Sequence, residues 1–375
     1  MEPVTHFLTG ACIGRAGLNR KTAYATLAAV LAAEAADLDV VWGFAGPVET
    51  LKHHRGITHT LIGAPVVAGA VVGAVWLLHR WREARRRKKL SPANPPDPGA
   101  PSSASSRQPV RWGWLYLSTL IAALSHILLD WTNSYGVRPF FPFNPRWYEG
   151  SIVFIGEPVI WALLVLALVI PGLLGLADRE IGAKRVRFRG RGWAIFALAG
   201  IVVVWCVRWS EHAKGLALLA NAPVTADPVV RTALEPYPMN PFHWHAIIET
   251  RSYYQFAEID TRTGEIDSDS RADVIYKPGD TPAVEAAKRT LLGQVYLDWG
   301  RWAMIRDVGQ QAAPGIDPPR LPAGRTWTTV EFTDLRFGYS LMSSNRSNSP
   351  PLSGWVYILD NSEDGGESMS GRAQR

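Results

Sequence analysis

The chain has 375 residues, 47% hydrophobic and 19% charged, with a mean hydropathy of −0.01 and a formal charge of +6. That average covers two unlike parts, long apolar runs up to residue 209 and then a stretch rich in Pro, Asp, Thr and Arg, which excludes both a simple soluble enzyme and a disordered chain. The positive excess sits in short stretches, so nucleic acid is not the expected partner, and two cysteines, Cys12 and Cys206, are too few for a disulfide framework or a cysteine zinc site.

Six apolar segments follow in chain order. Residues 3–17 are apolar but short, with Pro3 suited to a first helical turn, and Gly17 to Arg20 form a tight connection. Residues 22–42 are long enough to span a bilayer but contain Glu34, Asp37 and Asp39. Residues 57–79, 113–131 and 152–177 are long and apolar, and 193–209 reach the minimum length. Gly69 and Gly73, four apart, suggest close helix packing. The Pro/Ser/Ala-rich loop 82–110 is expected to be disordered. Glu2, where a basic region would stand, speaks against a secretory leader.

Beyond residue 209 the pattern changes to a second domain, 210–360. Residues 246–260, 272–277 and 327–341 alternate like strands, Thr261 to Gly264 reads as a hairpin turn, and 281–297 as a helix. The tail 361–375, rich in Gly, Ser and Glu, is expected to be disordered. The fold class is therefore an all-α polytopic membrane domain, 1–209, followed by an α+β or mainly β domain.

Basic residues in the loops give the orientation. Residues 80–111, 178–192 and 15–21 hold nine, six and three Lys or Arg, against two each in 43–56 and 132–151. The positive-inside rule places the richer loops in the cytoplasm and the domain 210–375 outside a cell membrane crossed several times. On this topology His6, Asp37, Asp39, His53, His54, His59, His126, Asp130 and Glu157 all fall at the outer ends of their segments. None of these residues was used to set the topology. Imidazole and carboxylate are ligands for zinc or manganese, and three protein ligands plus water make a catalytic site. His126 and Asp130, four apart, share a helix face. Asp37 and Asp39 cannot share one, so either one ligates and the other orients a histidine, or the helix ends between them.

Thr5-His6-x3-Gly10, Asp37-Leu38-Asp39, the element from His54 to Thr60 (His-Arg-Gly-Ile-Thr-His-Thr) and His126-x3-Asp130-x2-Asn133-x2-Gly136 resemble the YdjM-like family of membrane-bound metal-dependent hydrolases. The resemblance runs over about residues 1–160 and departs at Ala36, where the family usually has Pro. It implies distant similarity to zinc-dependent phospholipase C and to S1/P1 nucleases, and hence phosphoester hydrolysis. By this reading His6, Asp37, His59, His126 and Asp130 hold the metal, with His54 and Asp39 as ligands or supports. His53 stands outside the motif. Asn133 orients a ligand or the scissile group. Arg55 either anchors its loop or binds a substrate phosphate through its planar fork. Glu157, before Pro158, either caps its helix or serves as a general base.

The expected function is metal-dependent hydrolysis of a phosphoester in a lipid or cell-envelope substrate, with zinc, or else manganese, as the cofactor and membrane lipids as surroundings. The rival is a non-enzymatic membrane protein whose cluster is structural and whose membrane part anchors the outer domain. Charged groups at membrane depth cost about 3 kcal/mol each, which favours a functional cluster. Transport would need polar groups through the inner half as well. In the second domain, His243 and His245 resemble a metal pair, but an ordinary half-buried strand start is the simpler reading.

Overall fold

The structure, a computed structural model, describes residues 1–89, 108–181, 190–222, 224–269, 272–338 and 350–374. It divides into two compact units. The first comprises Met1–Leu38, Ile57–Glu149 and Ile155–Cys206, and the second Asp39–Gly56, Gly150–Phe154 and Val207–Arg375.

The first unit is helical. α1 (Pro3–Arg15) starts on Glu2, whose side chain accepts from Thr5 N–H, and α2 covers Ala25–Ala35. A 3-10 helix, Ala36–Ala45, follows α2. The short 3-10 turn Ile57–His59, α4 (Gly63–Lys89), α5 (Trp112–Trp131), α6 (Pro158–Glu180) and α7 (Arg191–Asn221) as far as Cys206 complete this unit, while α3 (Pro47–His53) and the rest of α7 belong to the second. Gly63–Lys88, Trp112–Trp131, Pro158–Asp178 and Arg191–Asn221 are long and apolar enough to cross a membrane.

Small residues set the helix packing. A Cβ on Gly10 would meet the Ala29 carbonyl oxygen at 2.8 Å, and one on Gly14 would meet Thr26 Cα at 2.4 Å. α2 answers with Ala25, Ala28, Ala29, Ala32 and Ala33, all at most 1% exposed. This small-on-small contact lets two backbones approach as they do in membrane bundles. Gly69 and Gly73 correct the expectation of close packing there, since a Cβ on either meets nothing within 4 Å. Residues 82–89 are likewise not loop but the end of α4, because Arg and Lys are good helix formers and the apolar run before them nucleates the helix. Residues 90–107 of the expected disordered loop lie outside the described residues.

The second unit carries two antiparallel sheets. One runs β1 (Arg231–Pro236), β2 (His243–Glu249), β3 (Tyr253–Asp260), β4 (Glu265–Asp267), with β5 (Val274–Tyr276) also on β3. The other takes β6 (Ala303–Asp307), β7 (Trp327–Asp334), β8 (Gly354–Leu359), β9 (Glu363–Met369) and β10 (Arg372–Ala373), in the order β10-β9-β8-β7-β6. Leu234, Trp244, Ala246, Ala257 and Ile259 form the core of the first sheet, covered by Leu218 and Leu219 from the end of α7. α7 thus continues three turns past Trp209, where the apolar run ends but the helix does not. The turn Thr261–Gly264 joins β3 to β4 as expected, with Gly264 at φ 79°.

Two expectations are corrected here. The helix 281–297 is two helices, α8 (Pro282–Ala287) and α9 (Leu291–Trp299), because Thr290 accepts from Gly293 N–H and starts a new one. The tail is not disordered. Asp360 and Asn361, at φ 47° and 59°, are the central residues of a turn in which Ser362 N–H donates to the Leu359 carbonyl, and β9 then pairs along β8. Its Gly- and Glu-rich composition has low strand propensity, but the unpaired edge of β8 supplies a ladder that propensity does not foresee.

Candidate metal centre

Four residues on three helical elements of the first unit bring one ligand atom each to a common point. Asp37 lies in the 3-10 stretch after α2, His59 at the end of the 3-10 turn before α4, and His126 and Asp130 one turn apart on α5. The two imidazole Nε2 atoms are 3.0 Å apart. Asp37 Oδ1 lies 3.2 Å from His59 Nε2 and 3.5 Å from His126 Nε2. Asp130 Oδ2 lies 3.5 and 3.3 Å from the same two atoms. A tetrahedral zinc with bonds of about 2.05 Å has ligand–ligand edges of roughly 3.3 Å. The separations therefore suit one such ion. His59, His126 and Asp130 are fully buried, whereas the Asp37 side chain keeps 22% exposure.

The protons support the same reading. His126 Nδ1 is 2.6 Å from the Ala33 carbonyl oxygen, which can only accept, so Nδ1 carries the hydrogen. In the neutral ring Nε2 is then a lone pair, aimed at two carboxylate oxygens and a second imidazole. Lone pairs converging in a buried place repel one another unless a proton or a metal cation lies between them. The contact that sets this tautomer follows from the alanine stripe of α2, which carries the Ala33 carbonyl against α5. A backbone carbonyl behind a ligating histidine is a common way to fix its ring.

His6, expected as a ligand, is placed behind this group. Its ring stacks on that of His126 with centroids 3.7 Å apart, and its Nε2 is 3.3 Å from Asp130 Oδ1. The Met1 amino group meets the same oxygen. Asp130 thus turns one oxygen to His6 and the other to the cluster. Asn133 is buried just beyond α5, and its Oδ1 accepts from Tyr135 N–H at 2.8 Å, which forms the turn leading to Gly136 at φ 82°. Glu157 is buried at the start of α6, where it accepts from Val159 N–H at 3.4 Å.

Asp39, His54 and Arg55 belong to the second unit. Asp39 Oδ1 is 3.1 Å from His54 Nδ1, and its Oδ2 accepts from Arg55 N–H at 2.8 Å. One carboxylate thus braces the turn. Arg55 is 3% exposed and holds φ 53°, a conformation non-glycine residues rarely adopt. Gly56 has no room for a side chain, since a Cβ would stand 2.7 Å from the His53 carbonyl oxygen. His53 itself stacks on Trp42 and pairs with Glu49 at 3.2 Å. In the first sheet, His243 and His245 both meet Glu258, at 3.2 and 2.8 Å. That facing carboxylate on β3 is what the sequence spacing of the two histidines did not reveal.

The Ala33 carbonyl and the His6 stack were not visible in the sequence. A backbone oxygen leaves no residue-type signal, and ring stacking depends on how α1 and α5 cross. No curated protein and no solved structure matches the chain. The similarity that does exist covers residues 1–215, so it contains every residue of the cluster and ends before the first strand. The chain, whose described residues include four membrane-length helices, belongs to the YdjM inner membrane protein family.

Proposed function

We propose that the chain is a membrane-bound, zinc-dependent hydrolase acting on a phosphoester of a lipid or envelope substrate. The observation that carries this reading is the convergence of Asp37, His59, His126 and Asp130 with separations that suit one tetrahedral ion. These four residues hold the metal, whose chemistry is to acidify bound water and polarise a phosphoryl oxygen. Asp37, the one partly exposed member, lies where a substrate group enters. His6 steadies Asp130, and Asn133 holds the turn beyond it. Arg55, always protonated and a poor metal ligand, is assigned to the substrate anion. Glu157 serves as helix cap.

The same reading takes α1 and α2 as two further membrane segments, giving six. It puts the basic ends of α4 and α5 in the cytoplasm and the two sheets outside. The test is hydrolysis of generic phosphodiester and phosphomonoester substrates by purified protein, before and after chelation, alongside metal analysis. Activity that disappears with the metal and returns with zinc is the expected result. Stoichiometric metal with no hydrolysis of any phosphoester leaves the structural-cluster reading in its place.

A further inference from the structure

Residues 39–56 belong to the same unit as the two sheets, although they lie far from them in sequence. The segment leaves Asp39 along the 3-10 helix and returns along α3 to His54 and Arg55. Asp39 closes its mouth, bonding both of those residues. What holds its far end lies outside the segment. α3 has seven residues, too few for a helix to be stable alone. Its cap residue, Gly46, has no side chain with which to satisfy the first-turn N–H groups. Gln374, next after β10, takes that place. Its Oε1 accepts from Val48 N–H at 2.8 Å, and its Nε2 donates to the Ala45 carbonyl oxygen at 2.9 Å. One amide thus bridges both sides of the turn into α3. Gly46 holds φ 122°, and a Cβ there would stand 2.4 Å from Gln374 Oε1, so the amide sits where a side chain on residue 46 would be. The apolar face of α3 is carried by the same domain, since α3 packs on α9 and β9 and its Val48 and Leu51 are buried.

α9, β9 and Gln374 all lie beyond residue 215, where the family similarity ends. They nonetheless fix a segment that leads into the motif residues His54 and Arg55. A left-handed backbone at a non-glycine residue persists where its surroundings over-determine it. For Arg55 those surroundings are Asp39 on one side and the segment that the sheet domain holds on the other. We propose that the sheet domain positions the His54–Arg55 turn, with Gln374 as the residue that locks α3 in place. The role of Arg55 toward substrate rests on the hydrolase reading above; the holding of the turn does not.

Hydrogen exchange by mass spectrometry on the full chain tests the holding, and phosphoester kinetics test the positioning. Gln374→Met keeps the length of the side chain and loses both bonds. Amides in residues 45–55 should then exchange at least about fivefold faster, as expected for the loss of a helix cap. Exchange in β7 and β8 and the metal content should stay unchanged. Gly46→Ala, which drives a Cβ onto the same amide, should act alike. In both variants kcat/KM for a phosphoester should fall about fivefold, while Arg372→Ala, on the exposed β10, should alter nothing. Unchanged exchange in residues 45–55 of the folded variants would overturn the proposal. So would an equal rise through β7 and β8, which makes Gln374 a support of the sheets alone, and so would faster exchange with kcat/KM unchanged. If the wild type hydrolyses no phosphoester, the assignment of Arg55 falls, and exchange alone decides whether the domain holds the turn.

Discussion

His126 uses both ring nitrogens, one on the Ala33 carbonyl and one in the cluster. His126→Ala removes a ligand and the tautomer lock together, so metal content by mass spectrometry should fall at least about a hundredfold. His6→Ala leaves the four atoms in place and should lower metal affinity less, by about tenfold. If the two variants lose metal equally, His6 is itself a ligand. Arg55 keeps a left-handed backbone that costs roughly 1 kcal/mol, a strain glycine would not have. Arg55→Gly removes that strain together with a buried side chain, so the variant is compared where it is folded, and its metal content should stay intact. Its phosphoesterase activity should nonetheless drop at least about tenfold, or roughly 1.4 kcal/mol of transition-state stabilisation. Full activity in that variant would refute the anion role. In the second unit, burial pushes the Glu367 carboxyl above the usual carboxylate range despite the hydrogen bond from Leu292 N–H. A raised folded-state value means the contribution to stability is present below the unfolded-state pKa of about 4.3 and lost as pH rises through the folded one. Glu367→Gln should thus raise the unfolding midpoint of the sheets at pH 7 and leave it little changed near pH 4, as circular dichroism would record.

Between elements, the contact of α1 with α2 decides whether the cluster can form. Gly14→Val drives a side chain into Thr26 Cα, and Gly10→Leu drives one into the Ala29 carbonyl. Overpacking of this kind costs about 1–3 kcal/mol. It also shifts the Ala33 carbonyl away from His126, so both variants should lose metal along with thermal stability. Gly69→Ala and Gly73→Ala face open space and should change neither. In sequence the two Gly pairs look alike. Only the neighbours separate them, because a small residue matters where a second backbone comes within about 4 Å and nowhere else. α7 teaches a similar lesson, since Ser210, Glu211, His212 and Lys214 end an apolar run without ending a helix. Leu218 and Leu219 stay helical because the first sheet offers them an apolar face.

For the whole molecule, orientation is the open prediction. In a Cys206→Ser background, with Cys12 buried, single cysteines at Lys88 and Thr263 report the two sides, since both positions are exposed. A membrane-impermeant thiol reagent on intact cells should label the cysteine replacing Thr263 and leave the one replacing Lys88 unmodified. The reverse pattern would put the metal centre on the cytoplasmic side and remove envelope substrates from consideration. The basic ends of the helices lie away from His6, His59, His126 and Asp130 along the same helices, so one labelling experiment orients both.

Taken by itself, the sequence determined four membrane-length runs, the change to strands, the Thr261–Gly264 turn and a set of His and Asp residues of which four gather at the candidate metal centre. Those features rest on residue type and local period, which are properties of short windows. It could not separate ligands from their supports, because His6, His54, His59 and His126 are the same chemical group until neighbours assign a partner to each nitrogen. It also misread the tail as disordered, since β9 exists by pairing with β8 and not by its own composition. Tertiary structure decided these points because hydrogen bonds and ring stacks form between segments far apart in the chain. No window of sequence contains both partners.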